Sequence, residues 1–515
     1  MRFRASIWSL VCAALFLCSA AGAEWTQERE RWFELTLAND PCGSSQIVTE
    51  RDGERVRTTS RTTLKLARGG GNDVSVTMES EFIETDKGVP LSAIVRQSTG
   101  GTPTEVRYAF DRQGDVWNVE ITERGAQRKE QIKSVDWLPP FALELYVTNR
   151  LRAGARDISL QSLDLEGGLQ LSNVTMKRAG VGQAVIDHQP EVRQISVSLW
   201  EVKSDTLPVP SMDRYASDGQ LVDSTAKLGI GALRTRLTSK EKALATAQKG
   251  GAEVLVKSFV PANRPIKGAL ESMHLTLRVT AREGDIVDLP SVGAQRTTRI
   301  GPGQIEVVID ADRGSPAQPG EAEDPKFLAP SSLVNFDTED VQALLRRALD
   351  GHADAAPRER AELLRRFVGR HITNKNLSSA FASAADAART ASGDCSEHAV
   401  LLTAMLRGAK IPARLASGLV YADAFSGKRD VWAWHVWTQA LLPGDDGAPP
   451  MWLDFDATLR TRFHAAHVCT AVGDLSAGAT DPMWSSSLTL MGNIGIEVME
   501  DSTQPARGKQ PASAR

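Results

Sequence analysis

The 515-residue chain is poor in cysteine, has no excess of either charge and, past its first residues, offers no second apolar run long enough to be a membrane-span candidate. Each shortage removes a class of function. The five cysteines and eight histidines form no cluster with the usual metal-binding spacing, so neither a metal nor a cofactor is expected. Lys and Arg number 60 against 64 Asp and Glu, a net charge of −4, and nucleic-acid binding normally needs a concentrated basic face. No internal repeat is evident. What remains is ordinary globular material, 41% hydrophobic and 24% charged, long enough for about two or three domains.

The first residues set an expected compartment. Arg2 and Arg4 precede an apolar stretch at 7–17 and the small-residue run Ser19-Ala20-Ala21-Gly22-Ala23. A basic start, a short apolar core and an Ala-x-Ala end read as a secretory signal peptide over 1–23; an uncleaved anchor is the alternative. The bulky residues before Cys18 argue against a lipid-anchored cysteine. The expected mature chain is exported, periplasmic or extracellular, and carries no membrane span. It keeps Cys42, Cys395 and Cys469, an odd count that leaves at least one thiol unpaired. A Cys42–Cys469 pair would leave Cys395 free, and three free thiols fit equally well.

From 24 to 311 short alternating runs are broken by Gly, Asn and Asp, for example 73–78, 116–122, 193–202, 253–259, 273–280 and 304–309. Period-two runs rich in β-branched residues predict antiparallel strands, forming one or two domains of sandwich or half-barrel kind. The clearest helix there is 239–249, capped by Ser239. The Pro- and Gly-rich segment 312–332 reads as a linker. Over 333–500 the period changes: Val341, Leu344, Leu345 and Leu349 share one helix face, a second helix starts at Pro357, and 377–390 is helical in composition. The polar tail 501–515 reads as disordered. The fold class is therefore α+β, a β region followed by a helical and β domain.

Chemistry concentrates late in the chain. Gly393-Asp394-Cys395-Ser396-Glu397-His398 leads into an apolar, strongly helix-forming stretch that Gly408 would close, which places Cys395 at a helix start. Amide hydrogens and the positive dipole end there favour a thiolate and can receive an oxyanion. Residues 412–421 read as a strand, 431–439 as an aromatic, β-branched strand holding His435, and 451–458 as a third strand holding Asp454 and Asp456. Strands joined by a short turn are antiparallel neighbours, so a carboxylate on the third can reach the imidazole on the second. Cys, His and Asp in that order form a candidate triad: the thiol attacks a carbonyl, the imidazole moves the proton, and the carboxylate orients the ring.

Gly-Asp-Cys-Ser-Glu-His-Ala, Arg-Gly-Ala-Lys-Ile-Pro-Ala-Arg, Trp-His-Val-Trp and Trp-Leu-Asp-Phe-Asp-Ala-Thr together resemble the transglutaminase-like superfamily over about 336–467. The resemblance implies a papain-like core with Cys395 as nucleophile, His435 as general base and acid, and Asp456, which opens an Asp-x-Thr block, as the orienting carboxylate. Ala457 stands where the family commonly has proline. Neither the tryptophan that supports the oxyanion in animal transglutaminases nor the acidic cluster of their calcium sites has a counterpart here. The implied activity is acyl transfer to an amine or hydrolysis at a peptide or protein amide; a cell-envelope peptidase or amidase, or an idle binding module on the same fold, are the alternatives. Oligomeric state is not legible.

Several residues carry rival readings. Asp454 is the reserve carboxylate, facing the same side as Asp456 on a regular strand. His398, one helical turn from Cys395, is a rival base on spacing and otherwise a helix-surface histidine. Arg407 and Arg414 read as braces of the fold. Trp432, Trp434 and Trp437 either line an acyl-acceptor cleft or fill the core. His464 and His467 have a metal-like spacing but no nearby third ligand.

Overall fold

The computed structural model describes residues 24–503, apart from 68–72, 100–102, 134–135, 166–167, 189–190, 207–208, 250, 285–287, 376–381, 445–446, 460 and 477–482. The segment 1–23 read as a signal peptide, and residues 504–515 of the tail, lie outside the described residues. Among the described residues no helix is long and apolar enough to cross a membrane.

Alternation builds the N-terminal half. In the strand Val116–Glu123, Trp117, Val119 and Ile121 are buried while their neighbours are not. The same alternation appears in Pro90–Ser98, and a meander of strands from Thr26–Leu37 to Ala126–Ile132 makes one part of a sixteen-stranded half-barrel sheet. Its core gathers Phe82, Val95, Tyr108, Trp117, Val119, Ile121 and Trp137, each of these side chains contributing roughly 1.5–3 kcal/mol on burial. The first strand also pairs with Gly231–Thr238, antiparallel from Trp32↔Thr238 to Leu37↔Leu233, which joins the meander to the second run of strands.

Two local readings change. Residues 253–259 are not a strand: Ala252–Glu253 is followed by a 3-10 turn at Val256–Ser258, because the Glu253 carboxylate accepts from Val256 N at 2.9 Å and turns the chain. The helix Pro140–Arg152, unforeseen in the sequence, begins with proline at its first turn. Its amides at Phe141 and Ala142 donate to Glu84, a carboxyl that burial pushes up to about 7 against those two bonds. The helix foreseen at 239–249 is Lys240–Gln248, with Ser239 accepting from Lys242 N.

The C-terminal half is layered. A six-stranded sheet runs in the order Ser315–Pro316, Met451–Phe455, Lys428–Leu442, Ala413–Phe425, His467–Gly473, with Val260–Pro261 beside Lys428–Leu442. Helices Glu339–Ala348, Pro357–His371, Ala384–Thr390 and Cys395–Gly408 share one hydrophobic core with this sheet. A second core joins the sheet to a four-stranded one, Gln295–Gly301, Gln304–Asp310, His274–Ala281 and Ile494–Ser502. Strands from both sides of the Pro/Gly-rich segment thus meet in one sheet. That segment lies along the fold: Ser315 pairs with Trp452, Phe327 packs on the Trp452 ring at 5.0 Å, and Glu321 accepts from Arg414 and Trp452. Prolines and glycines prevent a regular element without preventing contact.

Candidate active site

Asp394 caps the helix Cys395–Gly408, and both halves of a capping box are present. Its Oδ1 accepts from Ser396 N at 3.0 Å and Ser396 Oγ at 2.8 Å, while Glu397 reaches back to accept from Asp394 N at 2.8 Å and Ala382 N at 3.0 Å. Burial, then the neighbouring Asp394 charge, pushes the Glu397 carboxyl up to about 7. Residues 396–407 are all buried, so this helix is the centre of the domain and Cys395, partly exposed, is its outermost turn. Arg407 closes the far end by donating to the carbonyls of Ala413, Ala329 and Asp474. Arg414 donates to Gln439 and Glu321 and lies 4.0 Å over the Trp452 ring. Both arginines brace the fold.

His435 lies in Lys428–Leu442, in register with Gly418 of the adjoining strand. Its Nε2–H donates to Asp456 Oδ2 at 2.7 Å, which leaves Nδ1 for Cys395. Burial alone would lower this imidazole; the charge and hydrogen bond of Asp456, and the hydrogen bond and charge of Cys395, outweigh it and raise its pKa to about 10. Asp456 moves the other way. Burial would raise it, but His435's charge and hydrogen bond, with a second bond from His467, hold it well below the usual carboxylate range. Its Oδ1 accepts from Thr458 N at 2.7 Å, which explains the Asp-x-Thr block as a side-chain turn just past the strand Met451–Phe455.

Asp454 does not reach the imidazole. Its register partner is Gln439, further along the strand from His435, and it accepts from Gln439 Nε2 at 2.8 Å, Trp437 Nε1 at 2.7 Å and Ala294 N at 2.7 Å. Burial raises its carboxyl against these bonds. His398 is fully buried rather than on the helix surface: its Nδ1 meets Asp394 O at 2.6 Å, its Nε2 has no partner among the described residues, and burial lowers its basicity. Trp432 and Trp437 are buried in the core, Trp437 stacked on His435 at 6.2 Å, whereas Trp434 is half-buried and donates to Ser258 O. Cys42, Cys395 and Cys469 are all free thiols; burial pushes Cys42 up to about 11 and Cys469 higher still.

One member of the cluster was not foreseen. His467 opens the strand His467–Gly473 and places Nε2 3.2 Å from Asp456 Oδ2. His435, Asp456 and His467 bring their ligand-type atoms within 4.8 Å of one another, a spacing that would suit a cation. The same atoms are matched as hydrogen-bond donors and acceptor. Nothing in the spacing of 456 and 467 signals this meeting, because two other strands separate them in the sheet.

Residues 343–457 match the family model of the transglutaminase-like superfamily. No curated protein matches the chain. Among solved structures, similarity is found to a beta-barrel-like protein of a domain of unknown function from Brucella abortus, at 15% identity over 40% of this chain and 94% of that one, TM-score 0.32. A candidate cysteine protease from Cytophaga hutchinsonii is similar at 15% identity over 45% and 89% of the two chains, TM-score 0.28. A candidate protease from Parabacteroides distasonis is similar at 11% identity over 60% and 70%, TM-score 0.18.

Proposed function

The chain carries a domain of the transglutaminase-like superfamily at 343–457, and from that premise we propose that it is a cysteine enzyme acting on amide or peptide bonds through a thioester on Cys395. The observation that carries this reading is the buried His435–Asp456 pair, ring nitrogen to carboxylate 2.7 Å, with Cys395 close enough for its hydrogen bond and charge to raise the imidazole. An ionised Asp456 only accepts, so Nε2 carries a hydrogen, and an imidazole raised to about 10 keeps a second one on Nδ1, the proton it gives to the leaving amine.

The reaction then follows from the placement. The Cys395 sulfur attacks the amide carbon, forming an S–C bond, and the carbonyl electrons move onto oxygen beside the helix start. Collapse breaks the C–N bond, and the proton held by His435 goes to the leaving amine. The thioester is resolved by water, giving a carboxylic acid, or by an amine, giving a new amide; His435 takes the proton of either and returns one to sulfur. No step requires a metal or cofactor. The substrate class is a peptide or protein amide, and we place the enzyme outside the cytoplasm on the strength of residues 1–23.

Iodoacetamide tests the activated thiol. Cys395 should alkylate much faster at neutral pH than an ordinary exposed cysteine, and His435→Ala should slow it. An ordinary rate, unchanged by that substitution, favours an idle binding module. A panel of peptide amides with and without added primary amine then separates hydrolysis from transfer.

A further inference from the structure

His467 is buried beyond the reach of any substrate, yet it points at the reacting row. Its Nε2 meets Asp456 Oδ2 at 3.2 Å, the same oxygen that receives His435 at 2.7 Å, and its Nδ1 meets His464 O at 3.0 Å. A carbonyl and an ionised carboxylate only accept, so in each of these contacts the ring nitrogen is the donor when it carries a hydrogen. The ring is held by packing: the rings of Phe463 and Trp437 lie 4.5 and 5.2 Å from it. Burial lowers the neighbouring His464 to about 2, so it stays neutral.

The fold makes room for this contact. Two strands lie between that of His467 and that of Asp456, and the nearer, Ala413–Phe425, carries Gly418 opposite both His435 and Cys469. A Cβ at 418 would stand 1.8 Å from Val468 O, so only glycine lets Ala413–Phe425 and the strand of His467 come this close. Asp456 needs the support, since it sits past the end of its own strand and, among the described residues, its other oxygen is met by Thr458 N alone.

We propose that His467 is a positioning residue for the reaction at Cys395: it pins the Asp456 carboxylate from the far end of the row, so that Oδ2 stays aimed at His435 through both acyl steps. The inference rests on the proposed function of that site.

The test uses three substitutions in the full chain, with iodoacetamide as the probe, mass mapping of Cys395, and thermal midpoints as a check on folding. His467→Gln puts an amide near the Nε2 position, His467→Asn puts one near Nδ1, and His467→Phe keeps the ring packing with no donor. The expected alkylation rates are near wild type for Gln, within about threefold, and lower by about tenfold or more for Asn and Phe. Equal rates in all four proteins, or rescue by Asn instead of Gln, overturn the proposal while leaving the role of Cys395 intact. Losses that track the thermal midpoint in all three variants also overturn it, since they mark a packing role alone. A slow wild-type rate indifferent to His435→Ala overturns this inference together with the function it rests on.

Discussion

His435 and Asp456 exchange stability for charge in a defined pH window. The imidazole is raised from 6.5 to about 10, so its contribution is complete below about 6.5 and disappears as pH rises through 10. The carboxyl is depressed, so its contribution holds above about 3.8 and is lost as pH falls through its lower folded value. The gap in urea midpoint between wild type and Asp456→Asn should therefore be widest between about pH 4 and 6.5 and shrink steadily toward pH 10. A gap that widens above pH 8 would contradict the assignment. The same variant should lose on the order of 10²-fold or more in Cys395 reactivity, because an amide no longer fixes the hydrogen on Nε2. Residue types and their order made Cys395, His435 and Asp456 legible in the sequence. His467 was not, because its meeting with Asp456 depends on sheet order and on a missing side chain at Gly418.

At the scale of the element, the helix Cys395–Gly408 depends on its cap. Asp394 binds the first turn and Glu397 binds back, so Asp394→Ala should cost about 1–2 kcal/mol in stability and slow alkylation of Cys395 together. Denaturant melts and the iodoacetamide rate check both. Gly418→Ala should cost about 3 kcal/mol or more, since its methyl meets the backbone of Val468 and Cys469, which cannot swing aside as a side chain could. A variant with wild-type stability would mean the two strands can separate freely. Elements with a strong period or a cap were legible: the helices at Ser239, Pro357 and Cys395, and the strands around His435 and Asp456. The strand expected at 253–259 failed because a carboxylate turned the chain back on itself, a local bond that alternation does not reveal. The helix Pro140–Arg152 escaped because its apolar face is thin: Leu143, Val147 and Leu151 recur every four residues, but only Val147 is buried, and Leu145 and Tyr146 are exposed.

Across the whole molecule, the last strands before the Pro/Gly-rich segment are structural parts of the C-terminal half. His274–Ala281 and Gln304–Asp310 pair with each other and with Ile494–Ser502, and Ala294 N donates to Asp454 beneath Trp437. A fragment of residues 333–503 should fail to fold cooperatively, whereas 256–503, which restores the four-stranded sheet, should melt in one transition and keep a reactive Cys395; circular dichroism and alkylation decide this. Composition shifts marked where periodicity changed, but sheet partners so far apart leave no trace in local sequence. Glu123 and Arg124 tie the half-barrel to the C-terminal half, accepting from Ser332 N and donating to Ser331 O and Asp337.

The first strand of the half-barrel is held on one edge by Gly231–Thr238, a partner 202 residues away along the chain as counted between Glu34 and Arg236. During synthesis that edge stays open until the later segment has emerged, with Phe33 and Leu35 exposed to whatever else is nearby. The nascent protein therefore passes through a long interval in which it can be captured or mispaired at its amino end, and this edge is closed only after residues 231–238 have emerged.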